Sequence, residues 1–120
     1  MVNESRFFLL KVMAMDRIKF YPVCSIDDLP AGERMLINLD NKPVVIFNLA
    51  GEYYAIDDVC THDDGPLGEG EVEGYEIICP RHGARFDLRT GKVLTLPAVQ
   101  GVQAYPIRVL DGMLAIGVAE

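Results

Sequence analysis

The chain has 120 residues, enough for one domain and too few for two independent hydrophobic cores. Half of the residues are hydrophobic, 24% are charged, and the formal net charge is −7 at pH 7. Binding to nucleic acid or to an anionic membrane depends on a basic surface, so this charge excludes both as expected partners.

The N-terminal part of the chain holds an apolar segment, RFFLLKVMAM, over residues 6–15. Lys11 interrupts it, it lacks the small-residue cleavage pattern of a secretory signal, and it is shorter than the roughly 20 residues that cross a bilayer. Three cysteines do not make a disulfide framework. We therefore expect a cytoplasmic protein, with residues 1–14 as an N-terminal extension and residues 15–120 as the domain.

Short apolar or alternating runs, separated by turn signals, predict an all-β domain. In chain order, the predicted strands are 17–23, 34–39, 43–49, 52–58, 75–79, 84–88, 92–96, 104–110 and 113–118. A helical turn and loop are predicted over 25–33, and the polar segment 68–74 is interpreted as a solvated turn. Together these elements predict a small antiparallel β barrel or sandwich.

Two breaks in this β pattern hold both histidines of the chain and two of its three cysteines. The first break is Cys60-Thr-His62, and the second, after sixteen intervening residues, is Cys79-Pro-Arg-His82. Glycine and proline in both breaks are typical of tight loops, and the segment between them can bring the loops face to face. Two thiols and two imidazoles that face one point indicate a metal site.

The spacing of these ligands distinguishes between two kinds of metal site. A structural zinc site usually takes a pair of cysteines from one loop and a pair of histidines from another. Here each loop supplies one cysteine and one histidine, an arrangement that suits a binuclear iron–sulfur centre with different ligands on its two irons. A structural zinc domain stays open as the alternative.

The two breaks resemble the paired ligand motifs of the Rieske iron–sulfur family, and the resemblance extends over about residues 18–118. The segments YYAIDDVCTH, CPRHGARFDLRTGKVLTLPA and YPIRV are especially similar to the small Rieske ferredoxins of ring-hydroxylating oxygenases. The resemblance implies a Rieske fold, with a cluster-binding subdomain inserted as two loops and a third loop around residues 96–98 beside the cluster. It also implies one 2Fe–2S cluster per chain, with the ligands Cys60, His62, Cys79 and His82.

Three positions depart from the Rieske proteins of respiratory and photosynthetic complexes. Gly65 and Arg81 stand where those proteins carry two further cysteines joined by a disulfide, and Ala84 stands where they carry a serine that donates to a bridging sulfide. Each missing donor leaves the reduced cluster less stabilised. The midpoint potential should therefore lie near the low end of the Rieske range, roughly −150 mV.

The resemblance implies a soluble one-electron carrier that receives electrons from a reductase and passes them to a terminal oxygenase or a similar redox partner. Catalysis by this chain alone is not expected, because a mononuclear oxygenase iron needs two more histidines and the chain has none to spare. A role in iron–sulfur cluster assembly stays open as a second alternative.

Several residues near the motifs have weaker interpretations. Cys24 is interpreted as a buried thiol that packs like a small hydrophobe. Asp63 and Asp64 are interpreted as solvated carboxylates. Arg81 and Arg85, which flank His82, are expected either to contact a partner or to pair with acidic residues of the same domain.

Overall fold

The computed structural model describes residues 17–61 and 65–119, which form ten strands and one short 3₁₀ helix, Ile26–Asp28. The strands are β1 Ile18–Ser25, β2 Arg34–Leu39, β3 Lys42–Leu49, β4 Glu52–Asp57, β5 Glu71–Glu73, β6 Glu76–Ile78, β7 Arg85–Asp87, β8 Ala104–Tyr105, β9 Ile107–Leu110 and β10 Met113–Ala119. The extension predicted for residues 1–14 lies outside the described residues. The described residues contain no helix with the length and hydrophobicity that a membrane crossing requires.

The strands form three antiparallel sheets, so the all-β prediction is confirmed. One sheet has the order β1-β10-β9 and a second has the order β2-β3-β4-β8. The third sheet, β5-β6-β7, is inserted in the chain between β4 and β8, and we call it the subdomain. One motif loop precedes β5, and the other lies inside the subdomain, between β6 and β7.

Two-residue turns set the register of two hairpins. Asp40 and Asn41 both have positive φ angles, 49° and 67°, and join β2 to β3 with Leu39 opposite Lys42. Asp111 and Gly112, with φ angles of 52° and 76°, join β9 to β10 in the same way. Such turns match the right-handed twist of the paired strands and favour Asn, Asp and Gly, which tolerate positive φ.

Strand β3 is buried on both faces and separates two hydrophobic cores. Val45 and Phe47 face the first core, whereas Val44 and Ile46 face the second. The first core also contains residues of the subdomain and both motif cysteines; its buried members are Val45, Phe47, Ile56, Cys60, Leu67, Ile77, Cys79, Ala84, Phe86, Leu88 and Ala98. The second core contains Leu29, Val44, Ile46, Ala55, Leu114 and Ile116.

Two predictions about the chain around the subdomain are wrong. The segment 92–96 is not a strand: Val93 makes one isolated bridge to Phe86, and the chain then continues as a loop. Conversely, residues 68–74, interpreted as a solvated turn, contain strand β5. Val72 is partly buried against the first core while its two glutamate neighbours are exposed, and the strand pairs with β6.

The predicted strand 104–110 is divided at Pro106. Proline has no N–H to donate to a ladder and therefore interrupts regular pairing. Before it, β8 pairs with β4 in the second sheet; after it, β9 pairs with β10 in the first. The Pro106 carbonyl still accepts a hydrogen bond of 2.8 Å from the Gly117 amide, so the chain changes sheets at this residue.

The two-core arrangement predicts a large difference between two aliphatic truncations. Ile46→Ala should lower the free energy of unfolding by about 2–5 kcal/mol, because it removes a fully buried side chain from the second core. Leu36→Ala, on neighbouring β2 and 61% exposed, should change it by less than about 0.5 kcal/mol. Urea denaturation followed by circular dichroism measures both. Equal losses would contradict the assignment of the core.

Candidate metal centre

The first motif loop begins directly after β4 and closes on itself. The Cys60 amide donates to the Gly65 carbonyl at 2.6 Å, and the amide of Asp58, two residues earlier, donates to the Pro43 carbonyl at 2.9 Å. The side chain of Cys60 is fully buried. His62, together with Asp63 and Asp64, lies outside the described residues.

The second motif loop is the tight turn between β6 and β7. The Cys79 amide donates to the Ala84 carbonyl at 2.7 Å, and the Gly83 amide donates back to the Cys79 carbonyl at 3.0 Å. Gly83 has a φ of +80°, a left-handed conformation that glycine adopts without strain. This turn buries the Cys79 thiol, which is 2% exposed, and leaves His82 at the surface.

The two thiols share the first core although their loops belong to different parts of the chain. Cys60 and Cys79 are both buried there with Leu67, Ala84 and Ala98, and no disulfide joins them. The described residues, which omit His62, contain no group of three or more potential metal ligands. Two buried thiols and an exposed imidazole fit a 2Fe–2S cluster of the Rieske type, in which two thiolates bind one iron and two imidazoles the other.

A third loop, residues 94–100, lies against both motif loops. Its Ala98 is buried in the first core with the two cysteines. The Leu94 amide donates to the Arg85 carbonyl at 2.8 Å, and the Arg85 amide donates to Thr95 Oγ1 at 3.0 Å. At its other end, the Thr61 hydroxyl donates to the Gln100 carbonyl. The third loop therefore borders the site, as the resemblance implied.

Sequence reasoning missed Arg34, which fixes the segment between the two motif loops. Its Nη1 atom donates to the carbonyls of Gly68, at 2.7 Å, and Gly70, at 2.6 Å. Its guanidinium also lies 4.9 Å from the centre of the Phe47 ring in the first core. The Gly68 amide donates to the buried carboxylate of Asp58, so both the amide and the carbonyl of this glycine are hydrogen-bonded. We call this arrangement the Arg34 clamp.

Gly70 shows how closely this segment approaches the second motif. A Cβ atom at Gly70 would lie 2.0 Å from the Ile78 carbonyl oxygen, which immediately precedes Cys79. Only glycine allows that approach. The spacing Gly68-x-Gly70 is a sequence signal that could have indicated this close approach. Arg34, in contrast, is 34 and 36 residues away from its two acceptors and carries no local signature.

The structure resolves the two interpretations of Arg85 in favour of pairing within the domain. Its guanidinium lies 3.1 Å from a carboxylate oxygen of Glu73 and 3.4 Å from one of Glu76, which connects β7 to both other strands of the subdomain. These hydrogen bonds raise the pKa of Arg85 above its usual range. Because the groups are partly exposed, the pairs orient the strands more than they stabilise them.

Cys24 lies apart from the motif cysteines. It is on β1, opposite Leu114, and packs against the second core. It is half-buried rather than buried as predicted, and it follows a shift in strand register between Pro22 and Cys24. Burial, and secondarily the nearby charge of Asp28, raises the pKa of this thiol, which disfavours the thiolate that a metal would need.

Comparisons with known proteins agree with this geometry. A family model described as the Rieske [2Fe-2S] domain matches residues 19–106. The 3-phenylpropionate/cinnamic acid dioxygenase ferredoxin subunit of Escherichia coli K12 is 41% identical over 99 residues, which cover 81% of this chain and 92% of that protein.

Solved structures show the same fold. The ferredoxin of carbazole 1,9a-dioxygenase from Nocardioides aromaticivorans IC177 superposes with a TM-score of 0.76 at 31% identity, covering 82% of this chain and 96% of that one. A chain from a solved complex of reduced oxygenase and oxidised ferredoxin in carbazole 1,9a-dioxygenase superposes with a TM-score of 0.74 at 28% identity, covering 81% of this chain and 91% of that one. With its two motif loops and its three-sheet β fold, this chain belongs to the Rieske [2Fe-2S] family.

Proposed function

We propose that this ferredoxin transfers electrons from a reductase to the terminal oxygenase of a ring-hydroxylating system, and that it works in the cytoplasm. The 2Fe–2S cluster, when bound, takes up and releases one electron at a time. The observation that supports the proposal most is the division of the site between two buried thiols and an exposed imidazole. A carrier needs one part of its redox centre held in the protein and another part within reach of a partner.

We assign the inner iron to Cys60 and Cys79 and the outer iron to His62 and His82. Burial of both cysteines and exposure of His82 support this assignment. Two thiolates and two neutral imidazoles give the oxidised cluster a net charge near zero, whereas four thiolates would make it more negative. The histidines therefore make reduction easier than in a plant-type ferredoxin, although Ala84 provides no hydroxyl to raise the potential further.

The protein acts as a component and not as an oxygenase by itself. Both histidines of the chain are in the two motifs, so none is left for a second, mononuclear iron that requires two histidines and a carboxylate. Membership in the Rieske family also removes the case for a structural zinc domain. We propose residues 15–120 as the functional domain and residues 1–14 as an extension.

The ligand assignment predicts the cofactor content of three variants. The purified protein should contain two irons and two acid-labile sulfides per chain. Cys60→Ser and Cys79→Ser should each lose the visible absorption of the cluster, whereas Cys24→Ser, whose side chain packs against the second core, should keep it. Iron and sulfide analysis with visible spectroscopy measures this. Cluster loss in Cys24→Ser with retention in Cys60→Ser would reverse the assignment.

The Arg34 clamp predicts a specific effect on cluster retention. Arg34→Met keeps the contact with Phe47 but removes both hydrogen bonds, so a chelator should strip the cluster at least about tenfold faster. Arg108→Met is the matched control, because Arg108 stacks 4.4 Å from the ring centre of Phe20, away from the motif loops. Bleaching of visible circular dichroism gives both rates. Equal rates in the two variants would show that the clamp does not hold the loops.

The proposed partner is tested by single-turnover electron transfer. The reduced protein should pass one electron per chain, without oxygen present, to the oxygenase component of the Escherichia coli 3-phenylpropionate system, whose ferredoxin is 41% identical. Stopped-flow absorbance follows the reoxidation, with the cluster-free Cys79→Ser variant as the blank. A protein that is reversibly reduced at an electrode but keeps its electron in this mixture would count against an oxygenase partner.

A further inference from the structure

Asp58 is a buried carboxylate at the start of the first motif loop. It is 8% exposed and stands two residues before Cys60, so the Cα atoms of the two residues are at most about 7.6 Å apart. Burial of a charged group costs free energy unless its surroundings compensate for the lost water. The contacts of this carboxylate therefore show what its charge does in the folded protein.

The Asp58 carboxylate is held by the same glycine that binds Arg34. The Gly68 amide donates to Asp58 Oδ1, and the Gly68 carbonyl accepts from Arg34 Nη1 at 2.7 Å. A Cβ atom at Gly68 would lie only 2.9 Å from Asp58 Oδ1, so a residue with a side chain would crowd the carboxylate. These contacts fix the carboxylate between the first motif loop and the segment that leads to the second.

The negative charge of Asp58 is not neutralised by an ion pair. Over residues 17–61 and 65–119, no Lys, Arg or His side chain forms a salt bridge with it. Arg34 binds the carbonyl of Gly68 rather than the carboxylate, and it is exposed to solvent, so water screens its charge more than that of Asp58. The field of Asp58 in the first core is therefore only partly offset.

Asp57 and Asp58 are neighbours in the chain, but they contact different parts of the fold. Successive side chains of an extended segment point to opposite faces. Asp57 accepts a hydrogen bond of 2.7 Å from the hydroxyl of Tyr105, which packs against the second core. Asp58 accepts instead from the residue that follows Leu67, and Leu67 is buried in the first core with Cys60. Of these two carboxylates, Asp58 is therefore the one on the side of the thiols.

We propose that the buried charge of Asp58 lowers the midpoint potential of the 2Fe–2S cluster. This inference rests on the proposed function. Reduction adds one negative charge to the cluster, and a fixed negative charge nearby makes that step less favourable. At a separation of about 10 Å and an effective dielectric constant of about 20, a unit charge changes the equilibrium constant for reduction roughly tenfold. Asp58 thus tunes the cluster through its charge without binding either iron.

Three variants separate the charge of Asp58 from its hydrogen bond. Asp58→Asn removes the charge but keeps an oxygen that can accept from the Gly68 amide, whereas Asp58→Ala removes both. Asp57→Asn is the matched control, because it removes the same charge one residue away, where the carboxylate lies 3.9 Å from the ammonium of Lys42 and accepts from Tyr105. Voltammetry of each full-length holoprotein at neutral pH, at low and at high ionic strength, gives the midpoint potentials. Bleaching of visible absorption by a chelator gives the rates of cluster loss.

Asp58→Asn and Asp58→Ala should both raise the midpoint potential. The expected change is roughly tenfold in the equilibrium constant for reduction, which is about 59 mV for a one-electron couple. The shift should persist at high ionic strength, because salt screens a buried charge only weakly. Asp57→Asn should shift the potential by less than about half as much, because its charge is paired and faces the other core. Only Asp58→Ala should lose its cluster faster than the wild type, because only that variant loses the hydrogen bond to the Gly68 amide.

Three results would overturn the proposal. An unchanged potential in Asp58→Asn, with or without a shift in Asp58→Ala, would show that the charge has no effect on the cluster. Equal shifts in Asp58→Asn and Asp57→Asn would show that any lost carboxylate has the same effect. Loss of the cluster from Asp58→Asn would mean that the carboxylate is needed to build the site and not to set its potential. Absence of any reversible one-electron couple in the wild-type protein would instead contradict the proposed carrier function, so the two failures are distinguishable.

Discussion

The packing of two thiols from separate loops into one apolar core is the constraint on which the rest of this structure depends. Cys60 follows a strand of the second sheet, and Cys79 lies inside the inserted subdomain, yet both are buried in the first core. Burial excludes water from the inner half of the site. In the second motif loop the chain turns outward within a few residues after Cys79, which places His82 at the surface.

Because thiols from two separate loops must reach the same core, the contacts between the subdomain and the sheets determine whether the site can form. No disulfide joins Cys60 and Cys79, and polar contacts hold each loop in position instead. Each loop closes on itself through amide–carbonyl hydrogen bonds, and the Arg34 clamp ties the segment between them to β2. A guanidinium suits this task because one rigid group can donate to two carbonyls and still lie over an aromatic ring. The clamp is therefore a non-covalent contact that holds in position the segment between the two motif cysteines.

The sequence predicted the parts of this protein that depend on neighbouring residues. Hairpin turns at Asp40–Asn41 and Asp111–Gly112 have a local chemical cause, and the paired Cys and His motifs are dense enough to be recognised without a structure. Features that depend on distant contacts were missed. Strand β5 is short and two-thirds acidic, so only the packing of Val72 against the first core reveals it.

The error at residues 92–96 has a physical cause. Apolar alternation in KVLTL predicts a strand, but Leu94 and Leu96 are exposed instead of packed, and the segment leads into the loop that borders the site. A sequence pattern shows that residues are apolar, but it does not show whether the folded protein buries them. Here Val93 packs against the first core while Leu94 and Leu96 are exposed, so a rule that expects apolar residues to be buried gives the wrong element.

All of these features serve one proposed ligand set, Cys60, His62, Cys79 and His82. Pulsed electron paramagnetic resonance of the reduced protein tests this set most directly. If His62 and His82 bind the outer iron, the spectrum should show coupling of the unpaired electron to two histidine nitrogens, and His82→Cys should leave coupling to one. Coupling to no nitrogen in the wild-type protein, with two irons and two sulfides present, would contradict the account, because the cluster would then have other ligands.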